Sequence, residues 1–164
     1  MILALIVTSH NAQSGAADPI RIMIVGGGLP APISLTDPTI IARFKVGMGP
    51  GTFELGPDGE RITRNGPSMI VDLPAGMLSP PPMANWTTMH EVSFEIARRG
   101  TYYAYYWIDS VTKHGCVYLP GPGEPHYENN VRMIVRKVEG KWFHALSVWE
   151  EVANPLIYQT LTKR

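Results

Sequence analysis

Two runs rich in β-branched and aromatic residues, His90 to Arg98 and Thr101 to Ser110, flank the dipeptide Arg99-Gly100, and no other feature restricts the fold as tightly. A two-residue connection of this kind closes an antiparallel hairpin. The spacing then predicts Ile96 opposite Tyr103, Phe94 opposite Tyr105 and Val92 opposite Trp107, six side chains forming one apolar face. On the other face Glu95 and Ser93 oppose Ala104 and Tyr106, so the first strand is half exposed and the second, apolar on both sides, belongs at the centre of the sheet. The hairpin leads into Gly115-Cys116-Val117-Tyr118-Leu119-Pro120-Gly121-Pro122-Gly123-Glu124-Pro125, where residues 116–119 read as a third strand and the Pro/Gly tract as a stiff loop. Loops carried on a rigid frame are where function concentrates.

The remaining chain is compatible with that frame. Ile20, Ile22 and Ile24 alternate with Arg21, Met23 and Val25 before Gly26-Gly27-Gly28, which reads as a strand buried on both faces. Thr36-Asp37-Pro38 places a capping side chain before proline at the first helical position, with Ile40, Ile41 and Phe44 as the stripe of a helix over 38–44. Between Gly47 and Pro82 glycine and proline recur so often that only short strands near 52–55 and 69–72 fit. Val131 to Val138 and Lys141 to Leu146, joined by Glu139-Gly140, read as a second hairpin. Ser147 and Glu150 form a capping box for a helix over 148–154 that Pro155 stops or kinks. The expected architecture is a single mainly-β domain over residues 17–164, an antiparallel sheet or sandwich with one or two short helices, with α+β as the alternative.

Composition narrows the function classes. Lys plus Arg equals Asp plus Glu at 14 each, so no net field draws the protein to nucleic acid. A chain of 164 residues with 45% hydrophobic content supports a packed core. One cysteine, Cys116, excludes an intrachain disulfide and any CxxC arrangement. The apolar run Ile2 to Val7, followed by small residues ending in Ser14-Gly15-Ala16, resembles a clipped secretory signal over residues 1–16 that lacks a basic n-region; a buried first strand is the other reading. Export gives an extracytoplasmic or secreted domain, with a cytoplasmic one as the alternative. The run is far too short to span a bilayer.

Candidate chemistry is sparse. Gly26-Gly27-Gly28 ends a strand but is followed by Leu29-Pro30-Ala31-Pro32, which cannot open the helix that a phosphate loop needs. His114 and Cys116 share a strand face at i and i+2, the weak candidates for a thiolate and its base. His90, His114, His126 and His144 with Glu124, Glu128 and Asp109 are ligand types, yet no metal-binding spacing unites them, and no metal or cofactor is assigned. The 120–128 loop carries Glu124, His126, Tyr127 and Glu128 on a segment stiffened by Pro120, Pro122 and Pro125, so gripping a ligand costs little entropy. Tyr102, Tyr106 and Trp142 could form an aromatic platform for a sugar ring or peptide, or serve as sheet core. Asn85-Trp86-Thr87 matches a glycosylation pattern by chance.

Two blocks carry a resemblance. Gly27-Gly28-Leu29-Pro30 with Pro32-Ile33 and Thr36-Asp37-Pro38, and Val117 through Pro125 with Tyr127, Asn130, Val131, Arg136, Glu139-Gly140, Trp142 and Trp149, resemble an uncharacterised family of small bacterial proteins, a likeness spanning most of residues 20–157. The resemblance implies a bacterial origin and a shared fold, with no assigned activity; where this chain has His126, members often carry an aromatic residue. The expectation is a non-catalytic binding domain for a small molecule, glycan or protein, using Glu124, His126, Tyr127, Glu128, Tyr106 and Trp142. The rivals are a small hydrolase or metal-dependent enzyme using His114, Cys116, Glu124 or His126, and a structural or oligomerising module.

Overall fold

The computed structural model describes residues 18–163 except 65 and 67. The proposed leader, residues 1–16, lies outside the described residues. In chain order the elements are β1 (Pro19–Gly26), β2 (Ile33–Leu35), α1 (Pro38–Ile41), β3 (Phe53–Leu55), β4 (Arg61–Thr63), β5 (His90–Ile96), β6 (Gly100–Ile108), β7 (Gly115–Leu119), α2 (Tyr127–Met133), β8 (Lys141–His144) and α3 (Ser147–Thr162). Six strands form one antiparallel sheet in the order β2-β1-β5-β6-β7-β8, and β3 and β4 pair separately. The protein is mainly β, as expected. Between β2 and β5 the chain leaves one sheet edge, contributes Ile41, Phe44, Val46 and Met69 to Val71 to the core, and pairs with the outer edge of β8 at the other end. There the Asp72 and Leu78 N–H groups donate to the carbonyls of His144 and Trp142, so β8 is not left as an open edge.

β6 lies at the centre of the sheet, but the hairpin register differs from expectation. Ile96 pairs with Gly100, Phe94 with Tyr102, Val92 with Ala104 and His90 with Tyr106. The turn is the three-residue loop Ala97-Arg98-Arg99, closed by the Arg99 N–H to the Ile96 carbonyl at 3.1 Å, with φ of 62° at Arg98 and 111° at Gly100. A displacement by an odd number of residues turns every β6 side chain over. Tyr102, Ala104 and Tyr106 therefore face the core, while Tyr103, Tyr105 and Trp107 lie half-buried on the opposite face. Buried tyrosines need hydroxyl partners, and these two have them: Arg136 Nε donates to Tyr102 Oη at 3.1 Å, and Tyr106 Oη donates to Asn154 Oδ1 at 2.6 Å.

Other expectations change with context. β1 is buried on one face only, Ile22 and Ile24 inward and Ile20 half exposed. The second hairpin does not form: β8 pairs with β7, and the preceding segment is α2 and a loop. Within 69–72 only Val71 makes isolated bridges, to Ser68 and Ala145, rather than forming a strand, and β2 and β4 lie outside the expected strands. α1 starts as predicted, with Asp37 Oδ1 accepting from the Thr39 N–H at 2.8 Å, and is shorter than expected. α3 begins at Ser147 after Leu146 without a side-chain cap, because the Glu150 carboxylate accepts from the Gly115 N–H instead. It also runs through Pro155, since Trp149, Ala153 and Ile157 at i, i+4 and i+8 form one buried stripe. Phe44 and Tyr106 meet the Trp149 indole edge-on at 5.2 and 5.8 Å.

Gly26, the last residue of β1, and the following Gly27 and Gly28 form a turn, with all three φ values positive. Gly27 is required by packing: a Cβ there would lie 2.2 Å from the ring of His90. His90 is only 4% exposed, and its Nδ1 lies 3.2 Å from the Gly26 carbonyl oxygen. Burial holds its pKa below the ordinary 6.5, and the Gly26 bond offsets this only in part. The unfolded chain then binds the proton more readily, so the stability of the neutral folded ring is complete above about pH 6.5 and falls as pH drops towards the folded pKa. The gap in urea midpoint between wild type and a His90→Gln variant is expected to shift against wild type between pH 7.5 and pH 5; a constant gap would refute this.

Candidate functional site

The core-distal face of the sheet carries the 120–128 loop. Glu124 does not point to solvent: its carboxylate accepts from Tyr118 Oη, 2.9 and 2.8 Å from its two oxygens, and from the Gly121 N–H at 2.6 Å. Burial, then the Glu124 hydrogen bond, pushes the Tyr118 phenol up to about 12. Gly121 packs on the backbone of Gly140, where a Cβ would meet the Gly140 Cα at 2.9 Å, and the Gly140 N–H donates to the Leu119 carbonyl. The Pro/Gly tract and the Glu139-Gly140 turn are thus one packed unit. Further on, the His126 ring stacks on Tyr103 at 3.8 Å and 11°, and its Nε2 lies 3.0 Å from Glu91 Oε2. The loop straps across from β7 to β5.

Beside this strap is a pocket of about 440 Å³. Tyr118 and Trp142, opposed across β7 and β8 with ring centroids 5.0 Å apart and planes at 38°, form one wall. Met77, Leu78 and Pro81 form the other, and Ser79 and Lys141 add polar groups. The pocket exists because the 77–78 segment pairs with the edge of β8 and places an apolar wall opposite Trp142. That volume and lining suit a small ring-bearing ligand.

Of the residues expected to contact a ligand, Trp142 lines this pocket and Glu124 holds Tyr118 in its wall. Tyr106 does not take part: it is fully buried on the opposite face under α3. His126 is on the strap, and half-buried Tyr127 and exposed Glu128 open α2 beyond it. The enzyme candidates are separated. His114 Nδ1 lies 3.8 Å from Glu150 Oε2 at the far end of β7, and no hydrogen bond joins it to Cys116. Burial, reinforced by Asp109 and Glu150, pushes the Cys116 thiol up to about 11, away from a nucleophilic thiolate. Among the described residues no group of three or more His, Cys, Asp and Glu is placed to hold a metal ion.

Sequence reasoning missed Tyr118 and the 77–81 wall. Tyr118 was legible as the tyrosine of the loop block, whereas residues 77–81 reach the site only through a long-range edge pairing that no local pattern encodes. Comparison with protein-family models, with curated proteins and with solved structures finds no match. No helix among the described residues is long and apolar enough to cross a membrane.

Proposed function

We propose that the protein is a non-catalytic binding domain that takes a ring-bearing ligand, a saccharide or a proline-rich peptide, against Trp142 and Tyr118. The observation that carries this reading is the 440 Å³ pocket walled by the two tilted rings. Rigid aromatic faces give contact area at small entropic cost, and flat sugar faces and proline rings both stack on them. Glu124 acts as a positioning residue, holding Tyr118 and the turn at Gly121 rather than touching ligand. Likeness to the bacterial family places no activity on the site, and on the leader reading of residues 1–16 the domain works outside the cytoplasm.

The test is a thermal-shift series on the chain with chito-oligosaccharides, cello-oligosaccharides and a proline-rich peptide. A ligand at about 100 times its Kd adds roughly 2.7 kcal/mol, which for a domain of this size raises Tm by several degrees. We expect such a shift from one class, lost on Trp142→Ala and retained on Cys116→Ala. A shift that survives Trp142→Ala, or none with any probe, overturns the proposal.

A further inference from the structure

A second concave region lies at the opposite end of β6, away from Trp142. Two adjoining clefts share Arg99, from the β5–β6 turn, and Arg132 and Met133, from α2. One, of about 270 Å³, adds Ile134; the other, of about 230 Å³, adds Thr101 and Asn129. Exposed cations are normal on a protein with as many acids as bases, but these two line both clefts. Glu128 stands one turn before Arg132 on α2, yet among the described residues neither Arg99 nor Arg132 has a carboxylate within 4.0 Å. The Thr101 hydroxyl and the Asn129 amide likewise make no side-chain hydrogen bond within the described residues. Both clefts thus hold the two guanidinium forks and half-buried Met133, with half-buried Ile134 lining the larger and the Thr101 and Asn129 side chains the smaller.

We propose that this cleft is a binding site for a small organic oxyanion, a carboxylate or a phosphate monoester with a short apolar body. The guanidinium fork matches two oxygens of either group in a bidentate pair, and the apolar body would rest on Met133 and Ile134. The site is held by the fold: α2 is fastened to β6 through Asn130, whose side chain bonds both the N–H and the carbonyl of Tyr103 at 2.8 Å.

Titration calorimetry of the full chain at constant ionic strength, with butyrate and butyl phosphate as probes and inorganic phosphate as a third arm, tests it. We expect saturable binding, tighter for butyl phosphate than for inorganic phosphate if the apolar floor contributes. A preference for butyrate over butyl phosphate would assign the carboxylate as the head group, and the reverse order the phosphate. Arg99→Gln and Arg132→Gln are each expected to weaken the preferred probe at least tenfold, while Arg98→Gln, which removes the same charge from the turn without lining the cleft, leaves it within twofold. These side chains are exposed, and an unchanged Tm in each variant confirms that folding is intact. Absence of saturable binding with all three probes, or equal losses in the three variants, overturns the proposal; the second result would mean diffuse electrostatic attraction.

Discussion

Replacing Arg136 by methionine is expected to destabilise the protein more than any other change proposed here. The guanidinium is 3% exposed and donates to the carbonyls of Val46 at 2.5 Å, Met48 at 2.8 Å and Pro50 at 3.2 Å, besides Tyr102 Oη. Buried ion pairs can often be exchanged for apolar side chains without loss, because both charges leave together. Here the partners are main-chain carbonyls that no substitution removes. Leaving such groups unsatisfied costs about 1–3 kcal/mol each, so the total is on the order of 4 kcal/mol or more. For this chain length Tm should fall by roughly 10 °C or more. Arg136→Lys keeps the charge and loses the fork, and should fall between the two. Calorimetry and urea midpoints check this; a methionine variant melting within about 2 °C of wild type would show that the 46–50 segment is held by packing alone.

The second large effect is expected at Asn130, which is 1% exposed. β7 pairs with β6 only from Tyr105↔Tyr118 to Ile108↔Gly115. Continuing that register would set Pro120 opposite Tyr103, and proline has no N–H to donate. The Asn130 amide takes the vacant place and satisfies both main-chain groups of Tyr103. Asn130→Ala removes both partners, a loss of about 3 kcal/mol, with Tm lowered by roughly 5–10 °C. Asn130→Asp separates this from packing. An ionised carboxylate accepts from the Tyr103 N–H but opposes the Tyr103 carbonyl, whereas the protonated acid restores a donor. Its folded pKa is then raised, so the deficit relative to wild type is largest at neutral pH and shrinks as pH falls. Urea midpoints at pH 7 and pH 4.5 measure the difference; a pH-independent deficit would contradict the donor argument.

Much of the frame was legible because it rests on local patterns. Alternation over His90 to Ile108, the Asp37-Pro38 helix start and the Val117 to Leu119 run need only near neighbours to specify their conformation. The β5–β6 register was not legible, because the turn at Arg98 and Gly100 is chosen together with the hydroxyl partners Arg136 and Asn154, which lie far along the chain. Residues 131–138 carry enough β-branched residues to read as a strand, but Asn130 and Arg136 are needed elsewhere: one completes the edge of β6, the other fastens the 46–50 segment. Trp142 as an exposed-ring candidate and the stiffness of the Pro/Gly loop could be read from residue type. The opposing wall at 77–81 and the pairing of Arg99 with Arg132 in one cleft were not, since each depends on elements brought together only by folding.

By itself, then, the sequence determined a mainly-β chain with a central aromatic strand and a stiff loop after β7, because strand alternation and proline geometry act within a few residues. Only the tertiary structure decided which face of β6 enters the core, that Glu124 turns inward to hold Tyr118, and where the Trp142 pocket and the Arg99–Arg132 clefts lie, because each depends on partners distant in sequence.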